Sequence, residues 1–94
     1  MGKVDRKRDR LEIIKDVLAI IRDNHNSIKR TPLLRYSNLS SQSFNEYIKE
    51  LEEKELIKII TDKKNKKYVT LTTKGFDFLN KYDQIKGFIQ EFEL

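Results

Sequence analysis

Two groups of side chains in this sequence could bind a polyanion such as a nucleic acid. The first group presents hydroxyl, amide and ammonium groups over a short stretch: Ser41, Gln42, Ser43, Asn45 and Lys49. Groups of these kinds bond base edges and phosphates in the grooves of a duplex. The second group is the lysines of the segment DKKNKK: Lys63, Lys64, Lys66 and Lys67. Their ammonium groups would neutralise phosphates without regard to base sequence. The ordinary alternatives are a solvated helix face and a lysine-rich turn.

The composition contains few of the residues and motifs that enzymes use for catalysis. The chain has one histidine, no cysteine and no glycine-rich phosphate-binding loop. The histidine, His25, lies in the polar segment Asn24–Ser27, which predicts a surface turn, and it has no partner at the spacing of metal ligands. We therefore expect no catalytic residue, no metal site and no cofactor.

Length and charge indicate one small basic domain. The 94 residues are 37% hydrophobic and 37% charged, with a net charge of +5. This excess of positive charge suits a polyanion partner, although a highly charged soluble surface would show the same balance. No apolar run approaches the roughly 20 residues that span a bilayer, so we expect no membrane partner. The lack of cysteine fits a cytoplasmic location without requiring it.

The first group of side chains falls within a predicted helix-turn-helix at residues 31–54. Thr31 is the predicted N-cap of a short helix with Pro32 at its first position, and Ser40 is the predicted N-cap of the next helix. That second helix has an apolar stripe at helical spacing: Phe44, Tyr47, Ile48 and Leu51. Its early polar residues then face outward, as in a recognition helix. Two arginines beside the motif are candidate phosphate contacts: Arg30 and Arg35.

The second group of side chains falls at the tip of a predicted hairpin. The sequence predicts one helix and two strands around the motif, at residues 9–23, 56–61 and 68–71. Asn65 is the tip residue best able to adopt positive φ. Ile28 either forms a short β-bridge to this sheet or makes a hydrophobic-staple contact just before the N-cap of the following helix. The predicted fold class is mainly α with a small β-hairpin: a winged helix-turn-helix followed by a long C-terminal helix.

The last helix, capped by Thr72 or Thr73, carries a heptad-like stripe. Its residues are spaced 4, 3, 4 and 3 apart: Phe78, Tyr82, Ile85, Ile89 and Phe92. The stripe either packs on the chain's own first helix or forms the seam of a dimer, and we favour the dimer because such a seam would otherwise be an exposed apolar patch. Phe76 and Leu79 are expected to face the domain body. Gly75, in the first turn, is expected to cost little.

The chain resembles the small archaeal winged-helix DNA-binding proteins, both chromatin-associated and regulatory. The resemblance covers about residues 10–94 and lies in the segments NLSSQSFNEYIKELEEKELI, YVTLTTKGFDFL and NKYDQIKGFI. It implies a homodimer on double-stranded DNA, with Ser41–Lys49 as recognition helix, Lys63–Lys67 as wing, and a last helix paired in an antiparallel coiled coil. Two features depart from the family: the last helix stops early, giving about 30 Å of helix or less, and the recognition helix becomes acidic toward its end.

These patterns predict a transcriptional regulator on the nucleoid. Residues 1–8 would form a basic N-terminal segment, residues 9–72 the DNA-binding domain, and residues 73–94 the dimerisation helix. The amides of Gln42 and Asn45 would pair with adenine edges. Two alternatives stay open: a winged-helix module that binds protein, and a sequence-neutral chromatin protein. A continuous stripe of positive charge joining the wing, Arg35 and Gln42 would favour DNA binding. A surface on which acidic side chains interrupt that stripe would favour protein binding.

Overall fold

The computed structural model describes residues 8–92. In this range the chain forms four helices and one antiparallel hairpin, in the order α1 (Arg10–Asp23), α2 (Arg30–Ser37), α3 (Ser41–Glu53), β1 (Ile57–Thr61), β2 (Lys67–Leu71) and α4 (Thr73–Glu91). The predicted fold class, mainly helical with a small hairpin and a long last helix, is confirmed. Of the predicted basic segment at residues 1–8, all but Arg8 lies outside the described residues.

One hydrophobic core joins all six elements. α1 begins with a capping box between Asp9 and Glu12. It buries four side chains at helical spacing: Ile14, Val17, Leu18 and Ile21. The other elements each add side chains to the same cluster, including Leu33, Phe44, Ile48, Leu51, Ile57, Val69, Leu71 and Leu79. Because α3, the hairpin and α4 share this core, their relative positions are set by packing.

α2 begins earlier than the sequence predicted. Its N-cap is Lys29, not Thr31, and Pro32 is the third helical residue, not the first. The reason is tertiary: Ile28 pairs with Val69 of β2, with backbone N–O distances of 2.8 and 3.2 Å, so the chain leaves the sheet and enters the helix at once. Pro32 is still tolerated because the first-turn N–H groups of a helix have no partner within it.

The turn between α2 and α3 is tied to α1. Asn38 ends α2 at a positive φ of 59°, and Ser40 caps α3 by accepting from the Ser43 N–H, as predicted. The buried Ser37 Oγ donates to the carbonyl of Leu34 at 2.7 Å. Arg8 reaches over from the start of α1, donating to the Ser37 carbonyl and to Asp16, each at 2.9 Å. The chain entering α1 therefore holds the helix-turn-helix in place.

α3 ends in a Schellman motif that the sequence did not predict. The Leu56 N–H bonds the Leu51 carbonyl at 2.9 Å, and the Glu55 N–H bonds the Glu52 carbonyl at 3.0 Å. Glu55 takes a positive φ of 63° at the position where glycine is usual, so the ordinary sequence signal was missing. The buried Leu56 then leads into β1, which pairs with β2 from Ile57↔Leu71 to Thr61↔Lys67.

The first turn of α4 packs closely on the end of α3. Thr72 caps α4, accepting from the Gly75 N–H at 3.1 Å and donating to the Glu55 carbonyl at 2.6 Å. A Cβ on Gly75 would lie 2.3 Å from the Leu56 carbonyl oxygen. This close approach has no room for a side chain, and the sequence did not reveal that glycine is required here. Leu79 faces the core as predicted, but Phe76 is 37% exposed and does not.

We predict that Gly75→Ala destabilises the fold by about 1–3 kcal/mol, because the added methyl group forces the Leu56 backbone to move. The matched control is Gly87→Ala in the same helix, where a Cβ meets nothing within 4 Å. There alanine should stabilise the helix by about 1 kcal/mol. Thermal unfolding followed by circular dichroism measures both variants. Equal melting temperatures for the two would contradict the close approach at Gly75.

Candidate nucleic-acid interface

The early turns of α3 present polar side chains to solvent. Phe44, Ile48 and Leu51 are buried, so the helical period turns the opposite face outward. The predicted residues Ser41, Gln42, Asn45 and Lys49 are all exposed there, and Ser43 is half-buried at the flank. The structure thus brings the predicted base-contacting group together on an accessible helix face.

Arg30 is brought onto this face as well. From the first turn of α2, its Nη2 donates to Asn45 Oδ1 at 2.5 Å. Its guanidinium also lies 5.4 Å from the centre of the Phe44 ring, within the range of a cation–π contact. The sequence indicated only a phosphate contact for Arg30, because residues 15 apart give no local sign that they meet.

The wing tip is organised by Asp62, which the sequence analysis missed. Asp62 Oδ1 accepts from the backbone N–H groups of Lys64 at 2.8 Å and Lys66 at 2.9 Å. Asn65 takes the predicted positive φ, 65°. An aspartate that opens a polar turn and accepts from residues further on is a recognisable local signal. The turn leaves all four predicted lysines exposed, at Lys63, Lys64, Lys66 and Lys67.

A groove of about 480 Å³ lies between the wing and α3. Its lining includes Arg30, Glu52, Ile59, Lys67 and Tyr68. Arg30 and Lys67 therefore carry positive charge from the wing toward Asn45, while Glu52 adds one negative charge to the same groove. Tyr68, in the lining of this groove, also has the Lys29 ammonium 5.8 Å from the centre of its ring, within the range of a cation–π contact.

The later turns of α3 are acidic and only partly neutralised. Glu50 pairs with Arg10 and with Lys54, the latter at 2.7 Å. Among residues 8–92, no cation forms an ion pair with the exposed glutamates of this helix, at Glu46, Glu52 and Glu53. The sequence did not foresee the role of Arg10, whose guanidinium also lies 6.0 Å from the centre of the Tyr47 ring. The two ends of α3 therefore differ in charge.

Arg35 is placed apart from these contacts. It is exposed in the last turn of α2, and its side chain forms no hydrogen bond or ion pair with another of the described residues. The cations that line the groove beside the wing are Lys67 and Arg30, and Arg30 bonds Asn45. The path that the sequence analysis proposed as the sign of DNA binding, through Arg35 to Gln42, is not traced by any contact.

The predicted dimer stripe on α4 falls into two parts. Phe78 packs on the core and stacks with the half-buried Tyr82, with ring centres 6.1 Å apart. Farther along, the apolar side chains are between 39% and 60% exposed: Ile85, Phe88, Ile89 and Phe92. Phe88 was not in the predicted stripe, yet its ring lies 4.9 Å from that of Phe92. The first part of the stripe therefore serves the chain's own fold, and the second part has no cover among the described residues.

Beside this exposed part runs a shallow groove of about 290 Å³ between α1 and α4. Leu11, Tyr82, Ile85 and Ile89 form its apolar lining, with charged side chains around them: Asp9, Glu12 and Lys86. Burial, together with the nearby carboxylates of Glu12, Asp9, Asp16 and Asp83, raises the pKa of the Tyr82 phenol.

Within residues 8–92, no group of three or more histidine, cysteine, aspartate or glutamate side chains is placed to hold a metal ion. His25 is exposed in its turn at positive φ. In the same part of the chain, no helix is both long and apolar enough to cross a bilayer.

Known proteins share this architecture. A family model described as winged helix-turn-helix matches residues 7–90. The structure of Sso10a-2, a DNA-binding protein from Sulfolobus solfataricus, superposes with a TM-score of 0.72 at 17% identity, covering 92% of this chain and 86% of that one. MepR, a transcription regulator of the Staphylococcus aureus multidrug efflux pump MepA, superposes with a TM-score of 0.73 at 16% identity, covering 84% of this chain and 59% of MepR. At such low identities, these superpositions show that the fold is shared and nothing more. Comparison with curated protein sequences gives no significant match.

We predict that Asp62→Ala loosens the wing tip and costs about 1 kcal/mol of stability, because two backbone N–H groups lose their acceptor. Hydrogen exchange measured by NMR should show faster exchange at the Lys64 and Lys66 amides. The control is Asp62→Asn, which keeps a side-chain oxygen in the same place and should preserve most of the protection. Unchanged exchange in the alanine variant would show that the turn does not depend on Asp62.

Proposed function

Since the chain belongs to the winged helix-turn-helix family, we propose that it binds double-stranded DNA as a homodimer and acts as a transcriptional regulator. The early turns of α3 would enter the major groove, and the wing would lie along the backbone or over the minor groove. The DNA-binding unit would be residues 9–72 and the dimerisation helix residues 73–94. The relatives with this fold that are described as a DNA-binding protein and a transcription regulator support the proposal.

The observation that carries the proposal is the placing of the lysine-bearing wing beside the polar end of α3. The wing holds Lys63, Lys64, Lys66 and Lys67 in the open, and none of them forms an ion pair with another of the described residues. Arg30 and Lys67 line the groove that connects the wing to Asn45. A rigid polar helix face with unpaired cations at its side suits a base edge flanked by phosphates.

The acidic end of α3 limits how the helix could approach DNA. Glu52 and Glu53, in the last turn of α3, have no cationic partner among residues 8–92, so they would repel phosphates that come close. The helix would therefore meet the groove by its N-terminal end, from Ser41 to Lys49. Repulsion of this kind lowers the affinity for a duplex of any sequence, which counts against a sequence-neutral chromatin protein that binds tightly through phosphates alone.

The dimer in this proposal forms through α4. The apolar side chains Ile85, Phe88, Ile89 and Phe92 project beyond the core, and Leu11 of α1, 55% exposed, extends the same surface. A second copy in antiparallel register would cover this surface with an identical one. It would also place two recognition helices on one duplex, which calls for a roughly palindromic site.

The same acidic residues support a second candidate function, a winged-helix module that binds a basic protein surface. The two functions differ in their dependence on the wing lysines. A protein-binding module has no need of phosphate contacts, so its duplex affinity would be weak and would not respond to changes in the wing. Titration of labelled duplex separates the two.

We predict that changing Lys63, Lys64, Lys66 and Lys67 to alanine weakens duplex binding and flattens its dependence on salt. Each lysine that neutralises a phosphate contributes about 0.9 to the slope of log affinity against log salt. Fluorescence anisotropy at several salt concentrations measures both quantities. An unchanged slope would remove the wing from the interface.

A charge-matched comparison separates contact from net charge. The pair Lys64→Ala with Lys66→Ala removes as much charge as the pair Lys15→Ala with Arg22→Ala. In α1, Lys15 and Arg22 lie 3.7 Å and 3.0 Å from the carboxylates of Asp16 and Asp23. The wing pair should reduce the slope more than the α1 pair. Equal reductions would mean that only overall charge matters.

We predict that Ile85→Asp dissociates the dimer, because the seam would then bury an unpaired carboxylate. Light scattering at micromolar concentration should change from the mass of a dimer to that of a monomer. Asn80→Asp is the control, since it adds the same charge to an exposed position on another face of α4. A monomer before any substitution, or a dimer that survives Ile85→Asp, would refute the α4 seam.

A further inference from the structure

We propose that Arg30 is a positioning residue that turns Asn45 into a reader of guanine in preference to adenine. This inference rests on the proposed DNA binding and adds a base preference to it. The observation behind it is the hydrogen bond from Arg30 Nη2 to Asn45 Oδ1, 2.5 Å long. The bond lies on the exposed face of α3, at a position where a base edge would meet the side chain of Asn45.

The chemistry of Arg30 determines which way the Asn45 amide points. A guanidinium group has only donors, and a side-chain amide has one acceptor atom and one donor atom. The atom that faces Arg30 must therefore be the oxygen, because the reversed amide would place N–H groups against N–H groups. With Oδ1 engaged, Asn45 offers its two Nδ2 hydrogens to a partner outside the protein.

Arg30 is itself held in place from two sides. Its backbone belongs to the first turn of α2, and its guanidinium lies 5.4 Å from the centre of the Phe44 ring. Phe44 is only 2% exposed, so that ring is part of the rigid core. A cation over a fixed aromatic face and a bond to Asn45 together favour one arrangement of the guanidinium over the free rotation usual for surface arginines.

The orientation of the Asn45 amide determines which base it can best hydrogen-bond. The sequence pattern predicted pairing with adenine, which requires the amide to donate to N7 and accept from N6 at the same time. With Arg30 already donating to Oδ1, only one lone pair is left to accept from N6, and that second bond competes with the bond from Arg30. Guanine presents two adjacent acceptors, N7 and O6, and both suit an Nδ2 group that only donates. Guanine is therefore favoured where Asn45 meets the duplex.

Gln42 provides an internal comparison on the same helix face. It is exposed, and its side chain forms no hydrogen bond with another of the described residues. Both atoms of its amide stay available, so its predicted pairing with adenine is unaffected. Removal of Arg30 should change the base preference at the position read by Asn45 and leave the position read by Gln42 unchanged.

The test begins with selection of bound duplexes from a random pool by the unaltered full chain. Affinity is then measured for the selected site and for each single-base change in it. Asn45→Ala and Gln42→Ala identify the positions that each side chain reads. At the Asn45 position we expect guanine over adenine by about tenfold, the size of one good base contact.

The decisive variants are at Arg30. Arg30→Met cannot donate, so it frees the Asn45 oxygen, and the preference should move by about tenfold toward adenine. Arg30→Lys still has only donors and should keep the preference for guanine. Because the preference is a ratio of affinities on one protein, a general loss of phosphate binding cancels from it. Circular dichroism checks that both variants fold, as expected for an exposed side chain.

The outcomes distinguish this inference from the function on which it rests. Preference for adenine in the unaltered chain, no position that depends on Asn45, or a preference unchanged by Arg30→Met would each overturn the inference. If Arg30→Met weakens all duplexes equally, Arg30 is a phosphate contact only, and DNA binding still stands. If no duplex is bound at physiological salt, the proposed function fails and the inference fails with it.

Discussion

The junction of α3, β1 and α4 is the contact on which the rest of the structure depends. Leu56 accepts from the Thr72 N–H at 3.2 Å and leaves no room for a Cβ on Gly75. The Lys54 carbonyl, at the end of α3, accepts from the Lys74 ammonium at 2.9 Å. Backbone carbonyls at a helix end need partners, and here the partners come from the first turn of another helix. This junction connects the end of the proposed recognition helix to the start of α4.

Charge is divided along α3, and the division has a structural basis. At its start, Arg30 is held against Asn45 and the Phe44 ring. Near its end, Glu50 is matched by Arg10 and Lys54. The glutamates between and beyond these contacts face solvent, where water screens them at little cost to stability. A helix built in this way is stable in the free protein, and its N-terminal end is the more suitable for a polyanion.

The wing and the exposed end of α4 are similar in one physical respect. Both extend away from the core: the wing is held by the hydrogen bonds of a two-stranded hairpin, and the end of α4 is a single helix. Each carries one dominant kind of side chain. The wing has lysines, and the end of α4 has aromatic and aliphatic residues. Neither group of side chains is buried in the core of this chain, and we therefore propose a partner for each: phosphates for the wing, and a second copy for the end of α4.

The sequence by itself determined the features that depend on neighbours along the chain. The apolar stripes placed α1 and α3, Ser40 and Thr72 capped their helices, and Asn65 took positive φ in the wing, because caps, turns and helix faces are local. Only the tertiary structure decided what distant segments do to one another. The Ile28–Val69 bridge moved the start of α2 away from Thr31. Close packing on Leu56 made glycine necessary at position 75, and Arg30 met Asn45 across the helix-turn-helix. Such contacts leave no periodic signal in the sequence, because they depend on the way the elements pack together.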